Sequence, residues 1–280
     1  SEMCIRDSLL KSLVYLSALF TIVSLVVIVG FIFIKGIGNM NFNFLFSNYS
    51  ASGDGGILPM IITTLYTVVV SIVVATPIGI LAAIYLQEYA KKGKAVTAIR
   101  FATESLSGIP SIVYGLFGGI FFVVTLKMGY SIVAGSLTVA IIILPVIIRT
   151  TEEALKTVPQ AYRESSLALG ATKFQTLYKV VLPSAIPGIL SGVILSVGRI
   201  IGESAAILLT AGTVAKMPGG IFDSARTLTV HSYLLTKESG DIATAASIGI
   251  VLIVIVLALN MLARFVAVSY THLTLPTTPY

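Results

Sequence analysis

Two charged side chains stand four residues apart in an otherwise apolar run, Val197-Gly198-Arg199-Ile200-Ile201-Gly202-Glu203-Ser204. On a continuous helix that spacing puts Arg199 and Glu203 on one face. Each charge costs about 2.5–3.5 kcal/mol at a bilayer centre on insertion scales, and intramembrane charges mark transport paths by default. The chemistry such a site suits is oxyanion recognition. A guanidinium stays charged and offers two parallel hydrogen bonds to adjacent oxygens. Glu203 is expected to hold Arg199 in position and to keep it from trapping the anion. The competing reading is an ion pair that only locks the helix bundle.

A second constellation lies just upstream. Residues 164–183 read Glu-Ser-Ser-Leu-Ala-Leu-Gly-Ala-Thr-Lys-Phe-Gln-Thr-Leu-Tyr-Lys-Val-Val-Leu-Pro, a polar insert between long apolar runs. The sequence predicts two short helices here, Arg163–Leu169 and Thr172–Val181. Gly170 turns the chain between them, because glycine reaches positive φ without a Cβ clash. Thr172 is the expected N-cap of the second. Leu182-Pro183 is expected to break that helix before the next span, since proline disfavours helical geometry in the residue before it.

Other chemistries lack their residues. There is no Gly-x-x-x-x-Gly-Lys-Ser/Thr phosphate loop, so the chain is not expected to hydrolyse ATP itself. There is no His-Glu-x-x-His zinc motif, and neither of the two histidines falls in an apolar span. Gly202-Glu203-Ser204 begins like a nucleophile elbow but lacks the closing glycine and a membrane histidine to act as base.

The elements that must position these residues are membrane helices. Of 280 residues 56% are hydrophobic and only 11% charged, against roughly 25% charged in soluble domains. One cysteine, Cys4, rules out an intrachain disulfide. Six segments are long and apolar enough to span a bilayer. They are approximately 9–34, 57–86, 108–126, 131–148, 185–210 and 243–266. The expected fold class is therefore an all-α membrane protein with six transmembrane helices and no sizeable soluble domain. The first segment exceeds a typical signal-peptide core and lacks a clear cleavage site, so it is expected to be retained. Residues 1–8 and 269–280 resemble translated adaptor sequence and are set apart from the transmembrane domain, 9–268, as foreign ends.

Charge sets the expected orientation. With both termini in the cytoplasm, twelve of the 18 Lys and Arg fall inside, five outside, and Arg199 lies within a span. That asymmetry follows the positive-inside rule. It puts residues 164–183 in the cytoplasm and accounts for the net charge of +6 without nucleic acid. The run Lys91–Lys94 reads as a solvated loop against anionic lipid.

The insert resembles the coupling segment of bacterial ABC importer permeases. The shared pattern is an acidic and two small residues (Glu164, Ser165, Ser166), Gly170 after three more, an aliphatic at Val180, then Leu182-Pro183. Ser165 and Ser166 stand where alanines are common, and Val180 where isoleucine is. The run Arg199–Gly212 and the stretches Gly79–Tyr89, Ser107–Gly115 and Leu144–Leu155 narrow the resemblance to phosphate importer permeases of the PstA type. Ile200-Ile201, and Ala206 where proline is frequent, are modest departures.

The resemblance implies the type I importer permease fold, with a short helix pair seated in a groove of a separate ATPase. ATP-driven closure of two ATPase copies would move that pair and the flanking spans. Leu167, Phe174, Leu177 and Tyr178 are then the candidate contacts, rimmed by Arg163, Glu164 and Lys173. The chain itself needs no cofactor, ATP being bound by its partner. The other implied partners are a second, homologous permease subunit, membrane lipid and an external phosphate-binding protein, all at a bacterial inner membrane. Arg149 closes the fourth span, either as a snorkelling anchor or as a second basic station on the phosphate path. Asn41, Asn43, Asn48, Lys216, Arg226 and His231 are the polar outer residues available to a binding protein. Alternatives that stay open are another oxyanion such as sulfate or molybdate, and an ion-coupled carrier or channel.

Overall fold

The computed structural model describes residues 2–50, 55–91 and 93–274. Lys92 of the basic run and the last six residues of the tail set apart as foreign lie outside that range.

Every regular element among the described residues is helical, as a bilayer demands of any chain that must satisfy its own backbone. In order they are α1 (Glu2–Gly36), α2 (Phe42–Phe46), α3 (Leu58–Ile84), α4 (Lys94–Ser107), α5 (Ser111–Gly118), α6 (Ile132–Thr157), α7 (Gln160–Ala168), α8 (Lys173–Thr176), α9 (Leu182–Gly202), α10 (Ala205–Leu208), α11 (Leu228–Leu234) and α12 (Ile242–Thr274). Wide π-helical turns extend α3 (Tyr85–Tyr89), α5 (Gly119–Thr125) and α11 (Leu235–Ser239), and another, Leu177–Val181, joins α8 to α9.

Five helices are long and apolar enough to cross a membrane, and a sixth crossing is counted if the bent pair α4 and α5 is taken as one. Counted so, the predicted third span, 108–126, covers only the second half of the element. Its amphipathic partner α4 meets it at 100° across Gly108-Ile109-Pro110. Pro110 accounts for the break, because it disfavours helix in the residue before it.

The centre of the bundle is α6, packed against α3 and α9. Ile143, Ile147, Val139, Ile200 and Ala75 interlock there, all but excluded from solvent. In lipid such contacts gain from van der Waals fit rather than water release, which favours small residues at helix crossings. Gly192 of α9 shows this, since a Cβ there would collide with Thr150 of α6. The Ser71 hydroxyl adds a bond to the Ser136 carbonyl, 2.9 Å, between α3 and α6. A second cluster, with Leu155, Val158, Leu177 and Val181, seals the end of the bundle that carries residues 164–183. At the opposite end α1 crosses α12, and the Ser247 hydroxyl donates to the Gly36 carbonyl at 2.7 Å. From Leu10 onward most of α1 is exposed.

Two helices differ in extent from the predicted spans. That of the fourth, α6, runs past Arg149 to Thr157. That of the fifth does not run unbroken to Thr210. It ends at Gly202, followed by extended backbone at Glu203 and the one-turn α10.

Candidate functional site: the coupling helices and the Arg199 region

Both ends of α9 carry a candidate site. At its start, α7 stops at Leu169 and Gly170 takes φ +83. Ala171 N–H donates to the Ser166 carbonyl at 3.2 Å and Gly170 N–H to that of Leu167 at 3.0 Å. This is the paired-bond stop that a left-handed glycine allows. Two residues later Thr172 and Gln175 form a reciprocal capping box that starts α8. The Ser166 and Thr176 hydroxyls, 3.0 Å apart, pin the two short helices together.

The predicted break at Leu182-Pro183 does not occur. Residues 173–202 form one continuous rod, with the π turn Leu177–Val181 just ahead of Pro183. Leu182 N–H reaches back five residues to the Leu177 carbonyl. The wider turn relieves the clash between a proline ring and the preceding turn. Pro183 also stands at the first turn of α9, where its missing N–H is least costly. The Ser184 hydroxyl takes up the Val180 carbonyl at 2.8 Å. The coupling pair is thus continuous with α9.

The surface of the pair divides the predicted contact residues. Phe174 and Tyr178 are two-thirds exposed and stack on each other, ring centres 6.3 Å apart. Leu167 and Leu169 are exposed beside them. Glu164, Ser165 and Lys173 also face outward, while Leu182 and Pro183 are half-buried. Leu177, expected on that face, is instead buried in the second core cluster. Arg163, expected on the rim, turns inward. Its terminal nitrogen lies 3.0 Å from Glu88 and donates to the Leu155 carbonyl at 2.7 Å.

At the far end of α9, Arg199 and Glu203 are not a pair. The helix stops at Gly202, and Glu203 adopts φ −76, ψ 127. Its buried carboxylate accepts from Ala206 N–H at 3.2 Å, capping α10. The unsatisfied N–H groups at a helix start are a strong competitor for a carboxylate. Arg199 is left exposed in this chain, and none of the ion pairs among the described residues includes it. It sits in the last turn of α9, where the helix dipole favours a cation. It is within electrostatic range of Tyr114 on α5, whose hydroxyl donates to the Leu106 carbonyl of α4 at 2.7 Å.

Arg149 has a partner the sequence did not suggest, Glu104 of α4 at 3.7 Å, both side chains largely exposed. Beside it Arg100 binds the buried carboxylate of Glu152 at 3.1 Å. These groups line a cavity of about 200 Å3 between α4 and α6. The spacing of Arg100, Thr103, Glu104 and Ser107 is that of one helix face. That signal was available in the sequence but hidden beside an apolar run that drew the whole span. Of the polar residues assigned to a binding protein, His231 is buried, and Arg226 lies over the Tyr49 ring at 4.9 Å. Asn41, Asn43, Asn48 and Lys216 are exposed.

Together the fold and the capped helix pair define a class: the membrane-spanning permease subunit of a type I ABC importer. Residues 75–270 match the family described as "Binding-protein-dependent transport system inner membrane component", and the chain belongs to it. It is a multi-pass transport subunit, not an enzyme.

Similar proteins agree. The Bacillus subtilis (strain 168) "Probable ABC transporter permease protein YqgI" is 36% identical, over 93% of this chain and 95% of its own. The "Phosphate transport system permease protein PstA" of Pasteurella multocida (strain Pm70) is 37% identical over 74% of each. That of Mycobacterium leprae (strain TN) is 36% identical over 76% of this chain and 72% of its own. Among solved structures, a bacterial alginate ABC transporter superposes with TM-score 0.68 at 17% identity, covering 92% of this chain and 93% of that one. The inward-facing MetNI methionine ABC transporter gives 0.59 at 23%, over 77% and 94%. At such identities the structures speak for the fold alone.

Proposed function

We propose that the chain is the permease subunit of an ATP-driven importer for inorganic phosphate. The observation that carries this reading is an exposed, uncompensated guanidinium, Arg199, at the end of the helix that the coupling pair drives. Phosphate permeases among the relatives supply the cargo.

The reading places residues 164–183 and both termini in the cytoplasm. A homologous second permease covers the exposed side of Arg199, two ATPase copies seat the coupling helices, and an extracytoplasmic phosphate-binding protein delivers the anion. Phe174 and Tyr178 enter the ATPase groove, with Glu164 and Ser165 at its edge. Ser166, Gly170, Leu182 and Pro183 hold the pair rigid and continuous with α9. Groove closure then displaces α9 as a rod.

Arg199 meets phosphate with two parallel bonds to adjacent oxygens. Its own carboxylate neighbour is engaged elsewhere, so the anion does not compete with Glu203. Glu203 keeps a path role through α10, whose start it fixes beside Arg199. Arg149, loosely held by Glu104, is a second basic station near the cytoplasmic end, where an anion can exchange with an exposed carboxylate.

The test is uptake of radiolabelled phosphate by vesicles holding all components, with sulfate and molybdate as competitors. ATP-dependent uptake that an excess of neither competitor blocks is the expected result. Uptake without the ATPase, or blocked by sulfate or molybdate, would sink the reading.

A further inference from the structure

The chain itself joins the coupling helices to only two spans. α6 leads into α7 through Val158-Pro159, and α8 leads into α9. α3 has no such link, although it packs on both α6 and α9. That packing reaches as far as Ile84, which lies on the cluster around Leu155 and Leu177. A cavity of about 320 Å3 separates the turn Tyr85–Tyr89 from the helix pair, lined by Gln87, Glu88, Gln160, Leu167 and Lys173 among others. Arg163 crosses it. One terminal nitrogen of its guanidinium lies 3.0 Å from the carboxylate of Glu88, on the turn that ends α3, and donates to the Leu155 carbonyl of α6. Both charged side chains are less than one-fifth exposed. Screening by water is weak there, and loss of either partner strands the other charge.

We propose that Arg163 is a positioning residue that, through Glu88, couples α3 to the motion of the coupling helices. Three spans then move as one body when the ATPase closes, rather than α6 and α9 sliding past α3. Neither residue touches the proposed anion path. The contact with Glu88 is one of charge without hydrogen-bond alignment, Glu88 Oε1 and Arg163 Nε both lacking a hydrogen bond, so lysine can replace arginine here. A bidentate site would not accept that exchange.

The experiment uses the complete importer in vesicles and reads phosphate uptake per ATP hydrolysed. Arg163→Ala and Glu88→Ala are expected to lower that ratio about tenfold, within the usual range of coupling energies, with hydrolysis retained. Arg163→Lys is expected to stay close to wild type. The exchange Arg163→Glu with Glu88→Arg is expected to recover most of the ratio. A wild-type ratio in both alanine variants, or no recovery in either rescue variant, overturns the proposal. If the alanine variants lose their ATPase on purification, its return in the lysine and exchange variants supports the proposal, and its continued absence refutes it.

A second readout does not depend on the cargo. Spin labels at Leu81→Cys on α3 and Leu195→Cys on α9, both exposed positions, are placed in a Cys4→Ser background. With Arg163 present the distance between them should stay fixed when ATP is trapped. With Arg163→Ala it should shift or broaden. An equal response in both overturns the proposal, whereas failure of wild-type phosphate uptake alone would refute only the cargo.

Discussion

The two ends of α9 differ in what shapes them. At its start, the coupling helices are defined by local hydrogen bonds: a left-handed glycine stop, a capping box and a hydroxyl pair, all within residues 165–176. At its finish, the geometry around Arg199 depends on distant elements. α10 packs on α5, and Glu203 is drawn to cap α10 rather than to Arg199. The first end is a rigid handle that the chain makes for itself. At the second, an exposed cation stands apart from the carboxylate four residues on.

That difference can be tested by breaking each end in turn. The largest effect should come from Gly170→Pro. It removes the N–H that bonds to the Leu167 carbonyl and forbids positive φ, so ATP-linked uptake should vanish while the spans still insert. Uptake near wild type, measured at matched expression, would refute the rigid-handle account. Gly170→Val is gentler. Open space surrounds the position, so the cost is backbone strain alone, about 1–2 kcal/mol. It should weaken ATPase binding, measured by titration, without abolishing it.

A smaller effect tests the other end. Glu203→Gln keeps an acceptor for Ala206 N–H and should leave uptake within a few-fold of wild type. If Glu203 instead served as the counter-ion of Arg199, the same change would cost far more. Comparing its uptake with that of Glu203→Ala separates capping from charge pairing. Thr172→Ala should cost about 1 kcal/mol through loss of the cap, visible as faster amide exchange in α8 and little else.

The smallest effect concerns pH. His231 lies in α11, outside the long apolar spans. Burial first, and Arg226 second, push its pKa down to about 4. The unfolded chain binds that proton near pH 6.5 and the folded one only near 4. Between those values the unfolded state holds more protons, so stability falls as pH falls. Asp241, whose carboxyl is held low by bonds from Thr244, loses its contribution in the same direction as pH falls through its folded value. Thermal midpoints in detergent should therefore drop from about pH 7 to about pH 5, and His231→Phe should flatten part of that drop.

The two ends also differ in how well the sequence announced them. Gly170 and Thr172 foretold the pair of short helices, because capping and left-handed turns are properties of a few adjacent residues. What remained hidden there was tertiary: Arg163 seeking Glu88, and a π turn that lets Pro183 stay within a continuous rod. At the other end, apolarity misled. Arg199 and Glu203 are the only charged residues in 185–210, and its few hydroxyls are spread along it, so nothing in composition marked the stop at Gly202. The face of α4 that lines the cavity with α6 was lost for the opposite reason. Its polar spacing was present, but the apolar run after Gly108 dominated the reading of that span. Membrane sequences show where helices are; where a helix ends inside the bilayer depends on which neighbour satisfies its last groups.

The most direct test of the central claim, that Arg199 is held free to meet phosphate at the far end of a driven helix, is uptake per ATP in Arg199→Ala and Arg199→Lys. Both are compared at equal assembly and equal ATP hydrolysis. The account predicts that alanine abolishes uptake, and that lysine restores only a small part of it because the two-pronged contact is gone. Wild-type uptake by Arg199→Ala would contradict it.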